Sequence, residues 1–176
     1  MLTIAFVMVN LFFVSAVFAK TTTWTPTVGG AWTTAGNWNN GTPVAGDDVI
    51  INSDQSAAIT AVPSISLNSL TINGNCILSG SGNPSLITIT GTFSVASSKM
   101  LTLGVNVNAN RVNLTLASGG TGIIDGTVRL NTNSTNEIFT NAGDLTISAN
   151  GFIECFRVRP DETHGHRGRD CIGGGR

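Results

Sequence analysis

An all-β chain wound as a parallel β-helix is the fold this sequence predicts, and three observations predict it. The first is a recurring apolar-polar-apolar triplet: Leu70-Thr71-Ile72, Ile87-Thr88-Ile89, Leu101-Thr102-Leu103, Leu114-Thr115-Leu116, Val128-Arg129-Leu130 and Leu145-Thr146-Ile147. Successive triplets start 17, 14, 13, 14 and 17 residues apart, regular enough for a repeated unit and loose enough for loops of differing length. Side chains alternate faces along a strand, so each triplet aims two apolar groups one way and its middle residue the other. Such a short strand buries its apolar side only by stacking on neighbours, which is the logic of a solenoid. The second observation is that no eleven-residue window after Lys20 keeps the i, i+3, i+4, i+7 apolar spacing of an amphipathic helix. The third is composition: beyond residue 19 the chain is poor in aromatics and rich in Thr, Asn, Ser, Gly and small aliphatics, a mix suited to short strands and tight turns. The alternative is an antiparallel β-sandwich of roughly seven to ten strands. Repetition of one triplet with few aromatic anchors favours the solenoid. A spacing near 15 fits either a complete small coil or successive faces of a coil about twice as long.

Taken in order, residues 1–19 read as a secretory signal peptide, an apolar run ending Val17-Phe18-Ala19 with small residues suited to signal peptidase. The run is interrupted by Asn10 and is shorter than the roughly 20 apolar residues of a membrane span. Residues 20–46 carry all three tryptophans, Trp24, Trp32 and Trp38, among Gly29-Gly30, Gly36 and Gly41. Spacings of 8 and 6 fit neither one helix face nor one strand face, so short extended pieces and turns are expected, folded as a cap on something larger. Solenoid rungs are expected over 47–155. Asp47 to Asn52 gives the first strand and Ala57 to Thr60 the second, closed by Pro63. Between triplets, Phe93-Ser94-Val95, Val105-Asn106-Val107 and Ile123-Ile124 are further strand candidates. Turns are expected at Gly80 to Pro84, Ser118 to Gly120 and Asn131 to Asn136. After Cys155 the strand pattern stops, and residues 156–176 hold five of the nine basic residues and both histidines. A disordered tail that is not the native continuation of the rungs is the expectation there.

The stretch Thr23-Trp24-Thr25, Trp32-Thr33-Thr34-Ala35-Gly36-Asn37-Trp38, Gly41-Thr42-Pro43 and Asp47-Asp48-Val49-Ile50-Ile51 resembles the opening of large secreted surface proteins of Gram-negative bacteria, adhesin-like and autotransporter-passenger-like. Their pattern is a Thr-Trp pair, a second Trp, an Asn-Trp, a Gly-x-Pro turn and an Asp-x-Val-x-Ile strand. The resemblance covers residues 23–52 as a motif and runs to about 153 as a style of repeat. It implies a right-handed β-helix on the cell surface, usually within a far longer chain bearing a C-terminal sorting or anchoring domain.

Residues 20–155 hold no histidine and no tyrosine, which removes any Ser-His-Asp arrangement from that part. Paired carboxylates are the remaining catalytic option, since β-helix enzymes that cleave acidic polysaccharides carry aspartates on one face. The candidates are Asp47, Asp48, Asp125 and Asp144, with Asp54 and Glu137 beside them. Asp47 and Asp48 also suit a structural role, one accepting N–H bonds from the Gly41 to Gly46 turn and the other facing water. Neither an EF-hand nor a Gly-Gly-x-Gly-x-Asp calcium repeat is present. Cys155, His164, His166 and Cys171 are zinc-type ligands at spacings of 9, 2 and 5, unlike finger or ribbon patterns. Cys76, in a strand-like context, reads as a buried, unreactive thiol, and three cysteines do not make a disulfide scaffold. Trp24, Trp32 and Trp38 could contact a sugar ring or close the end of the solenoid, and the second role is preferred. Thr71, Thr88, Thr102, Thr115 and Thr146 would form a hydroxyl ladder if aligned, as in ice-binding solenoids, although cross-strand pairing is the simpler account.

A formal net charge of −1 gives no reason to expect nucleic acid or an anionic membrane as partner. The function expected is that of a secreted or cell-surface, structural or adhesin-like solenoid, non-catalytic and without cofactor, meeting surface glycans or host matrix molecules. A carbohydrate-binding or polysaccharide-cleaving β-helix is the alternative, with an ice-binding solenoid behind it.

Overall fold

The computed structural model describes residues 19–82, 84–105, 110–131 and 137–156. Nearly all of the expected signal peptide, the tail after Phe156, and the zinc-type ligands His164, His166 and Cys171 lie outside them. So do Asn106 and Val107 and most of the turn expected over Asn131 to Asn136.

Within the described residues every strand pairs parallel to its neighbours, which is a solenoid and excludes the sandwich, whose hairpins are antiparallel. The chain passes repeatedly over three faces. Face one stacks β1 (Thr21–Trp24), β3 (Asp48–Ile51), the second halves of β5 (Ile65–Ile72) and β7 (Ser85–Val95), β10 (Thr121–Ile124) and β13 (Asp144–Ile147). Face two stacks β2 (Gly30–Ala31), β4 (Ile59–Val62), β6 (Cys76–Gly80), β8 (Met100–Leu103), β11 (Thr127–Asn131) and β14 (Phe152–Phe156). Face three is made by the first halves of β5 and β7, then β9 (Val112–Leu116) and β12 (Phe139–Asn141). The second strand runs over Ile59–Val62 rather than Ala57 to Thr60, because Ile59 and Val62 are the residues that reach the core.

Stacked positions fix the coil length. Thr22, Val49, Leu70, Phe93, Gly122 and Leu145 lie one above another, 21 to 29 residues apart. The triplet spacing of 13 to 17 therefore marks successive faces of the wider coil. Leu70-Thr71-Ile72 and Leu145-Thr146-Ile147 are on face one, Leu101-Thr102-Leu103 and Val128-Arg129-Leu130 on face two, and Ile87-Thr88-Ile89 and Leu114-Thr115-Leu116 on face three.

Alternation supplies the core. Val49, Ile51, Leu70, Ile72, Ile87, Ile89, Leu101, Leu103, Leu114 and Leu116 all point inward and are fully buried, so stacked rungs share one aliphatic column. Long strands turn the corner between faces three and one where the register shifts after Leu67, opposite Gly91, whose missing side chain admits the Asn68 backbone. Other corners are equally tight. A Cβ at Gly126 would collide with the carbonyl oxygens of Lys99 and Ala96. Gly126→Ala is therefore expected to lower stability by about 1–2 kcal/mol in urea titration, and an unchanged midpoint would contradict this account of the corner.

Candidate functional site

The three tryptophans form one cluster at the start of the solenoid. Trp38 sits edge-on to both others, with ring centroids 5.0 Å from Trp24 and 4.7 Å from Trp32. Trp38 Nε1 donates to the Trp32 carbonyl at 2.7 Å, and Trp24 Nε1 donates to Gln55 Oε1 at 3.0 Å. All three are at most 4 % exposed, so their faces meet each other and the core instead of water. Sugar stacking needs an open ring face, so the arrangement replaces a sugar platform with a cap. The same segment closes the free edge of β1: Thr25 N donates to Asn37 O, Asn39 N donates to Thr23 O, and Trp24 bridges Trp38 antiparallel. A sheet edge that would otherwise invite another chain is thereby satisfied internally.

Asp47 is fully buried beneath this cap. Its carboxylate accepts the backbone N–H of Lys20 at 3.0 Å and of Val44 at 2.8 Å, with Lys20 Nζ 3.9 Å away. It is a turn-holding group with its oxygens already committed. Asp48 points the other way, as adjacent strand residues must, and accepts from Asn68 Nδ2 at 2.7 Å and Ser69 Oγ at 2.6 Å.

Register settles whether the aspartates converge. Thr21, Asp48, Ser69, Thr92, Thr121 and Asp144 form one outward column on face one. Asp48 and Asp144 share that column four rungs apart, about 19 Å at the usual strand spacing. Asp125 lies four residues beyond Thr121, the partner of Asp144, hence about 13 Å along the strand from it. Asp47, Asp48, Asp125 and Asp144 are thus not brought together, and an acid-base pair would need them within a few ångströms of one reacting bond. Asp54 serves a corner: its Oδ1 accepts from Asn75 N at 2.7 Å and pairs with Lys99 Nζ at 3.0 Å, and these two contacts hold its carboxyl below the usual range.

The threonines do not make one ladder either. Thr71 and Thr146 are on face one and Thr88 and Thr115 on face three. Thr102 on face two is covered, in register with Arg129, whose Nε pairs with Glu154 Oε1 at 2.6 Å. Tertiary stacking makes different columns. Ser66, Thr88, Thr115 and Thr140 run up face three, and Thr23, Ile50, Thr71, Ser94, Ile123 and Thr146 form a second outward column on face one. No triplet rule could find these, because the stacked partners lie 21 to 29 residues apart and often outside any triplet.

Cys76 is buried, and burial pushes its thiol up to about 12, which leaves no thiolate for chemistry. Cys155 is disulfide-bonded, so its sulfur is not a free thiolate for zinc. Among the described residues no group of three or more His, Cys, Asp or Glu side chains is placed to hold a metal.

No known family model, curated protein or solved structure matches this chain. One of the candidate acids stands apart from the rest. Glu137, just before β12, is 4 % exposed, and among the described residues its Oε2 has no hydrogen-bond partner. Its Oε1 packs against the bare Cα side of Gly104, where a Cβ would collide. Desolvation pushes this carboxyl up to about 7, with Arg111 opposing. The sequence offers it as a candidate acid, but a lone acid beside the apolar pair Ile138-Phe139 does not by itself reveal that it is buried.

Proposed function

We propose that this chain is an exported, cell-surface structural solenoid of the adhesin type, which binds through its flat outer faces and does no chemistry of its own. The observation that carries the reading is the pair of outward columns on face one. Successive rungs set two outward positions side by side on this face, Ser69 and Thr71, then Thr92 and Ser94, then Thr121 and Ile123, at a fixed pitch, with Ser69 covered and donating to Asp48. A surface of this kind suits a long or repetitive ligand, such as a surface glycan or a matrix fibre, contacted weakly at many points. Scattered carboxylates support the non-catalytic half of the reading, and the Trp and Asp-Asp opening supports export through its resemblance to secreted adhesin-like β-helices. Among the described residues no helix is long and apolar enough to cross a membrane.

The test presents the purified protein to a glycan panel and to matrix proteins, beside a Thr92→Arg, Ser94→Arg variant. Binding weakened about tenfold or more by the variant, at unchanged melting temperature, is the expected result. Steady cleavage of a polysaccharide, or equal retention by variant and parent, would defeat the reading. Export is checked separately by N-terminal sequencing of secreted material, which should begin at Lys20.

A further inference from the structure

Two buried side-chain oxygens flank Gly104, at the corner where the chain leaves face two for face three. They are Glu137 Oε2 and Asn131 Oδ1, each shut off from water and each without a hydrogen-bond partner among the described residues. Asn131 ends β11 and Glu137 comes just before β12, so the two stand at either foot of the connection 132–136. Register sets them beside the same glycine. Leu130 pairs with Leu103, which places Asn131 one rung above Gly104, about 4.8 Å at the usual strand spacing, and the Glu137 carboxyl packs directly on that glycine. Both atoms are acceptors when Glu137 is ionised, and two dry, unmatched acceptors are what folded interiors avoid. A single proton on Oε2 satisfies both, because a neutral carboxyl donates where a carboxylate only accepts.

We propose that Glu137 is held as the neutral acid and donates its Oε2 proton to Asn131 Oδ1, a pH-operated latch that closes the foot of this connection and seats β12 on face three. The charges around it leave that state standing. Arg111, just before β9, is the charged group whose field reaches the carboxyl and favours its ionised form, and desolvation outweighs it. Arg129, on the same outward side of β11 as Asn131, is paired with Glu154 at 2.6 Å. Residues 104–110, the connection 132–136 and β12 carry no ionisable side chain. As pH rises the proton passes to water, two acceptors face each other, and the latch opens. Thr140 on β12 belongs to the hydroxyl column of face three, so opening loosens that face at this rung.

Carboxyl-carbon NMR of Glu137 in the full chain, from about pH 4 to pH 9, tests this beside an Asn131→Leu variant. Leucine keeps the site dry and removes the acceptor, so the neutral acid loses its partner and the midpoint should fall by about one pH unit, tenfold in proton affinity. A carboxyl kept neutral by dryness alone requires an unchanged or higher midpoint, and that result overturns the proposal. Hydrogen exchange supplies a readout that leaves Asn131 intact. After correction for the intrinsic rate, protection of the β12 amides should fall about tenfold between pH 5 and pH 8 in the parent. It should hold steady in Glu137→Gln, whose amide donates to Asn131 at every pH. Equal protection of the parent at both pH values, or the same loss in Glu137→Gln, overturns the latch as well.

Discussion

Replacing Trp38 with alanine is expected to lower the unfolding free energy by about 3–5 kcal/mol, the range for deleting a buried large aromatic. Trp38 is 4 % exposed and is the shared partner of both edge-to-face contacts, so its loss opens a cavity between Trp24 and Trp32. Its Nε1 also leaves the Trp32 carbonyl without that donor. The loss propagates, because Trp38 belongs to the segment that seals the edge of β1 through Asn37 and Asn39. Equilibrium unfolding in guanidinium should show the shift, and aggregation should rise as an exposed edge becomes available. Val28→Ala, at a residue 68 % exposed in the same region, should move stability by no more than about 0.5 kcal/mol. A Trp38→Ala loss below about 1 kcal/mol, with β1 still protected from exchange, would show that the cap is an ornament rather than a closure.

Glu137 gives the protein a pH dependence opposite to that of an ordinary carboxylate. Burial raises its carboxyl from 4.5 to about 7 in the folded chain, so the folded state holds the proton more tightly than the unfolded state. Below about 4.5 both states are protonated and the full contribution is present. Between 4.5 and about 7 the unfolded chain has released its proton and the folded chain has not, so stability falls as pH rises. Above about 7 both states are ionised and the decline stops. With the opposition of its own backbone N–H and of Arg111 already contained in that shift, the loss across the window is about 2–3 kcal/mol. Glu137→Gln keeps the shape and removes the titration, so its stability should stay flat from pH 5 to 7 while the parent declines. Parallel curves for the two proteins would remove Glu137 as the cause. Asp54 acts in the other direction, because its carboxyl is held low by Asn75 and Lys99, so its contribution is lost only in stronger acid.

Much of the architecture was legible because its cause is local. A triplet such as Leu70-Thr71-Ile72 fixes its own facing pattern, two side chains to one side and one to the other, whatever it stacks upon. Tryptophans without helix or strand spacing announced a cap, and adjacent Asp47 and Asp48 had to face opposite ways. The candidate sites were legible only as lists. Asp48 and Asp144 look like partners in composition and prove to be four rungs apart, while the five central threonines are dealt out over three faces. Glu137 was legible as a candidate acid but its burial was not, because its environment is built by Gly104 and Arg111, distant in sequence and unrelated to it by any period.

By itself the amino-acid order determined that this chain would be β, that its rungs would be short, and which side chains would seek a common interior, since alternation along a strand is a property of neighbouring residues. Only the tertiary structure decided the coil length, the membership of each outward column and the packing of the tryptophan segment on the first rung. Those depend on how many residues each loop spends between faces, and a shift of one residue in register would send every side chain of a rung to the opposite side.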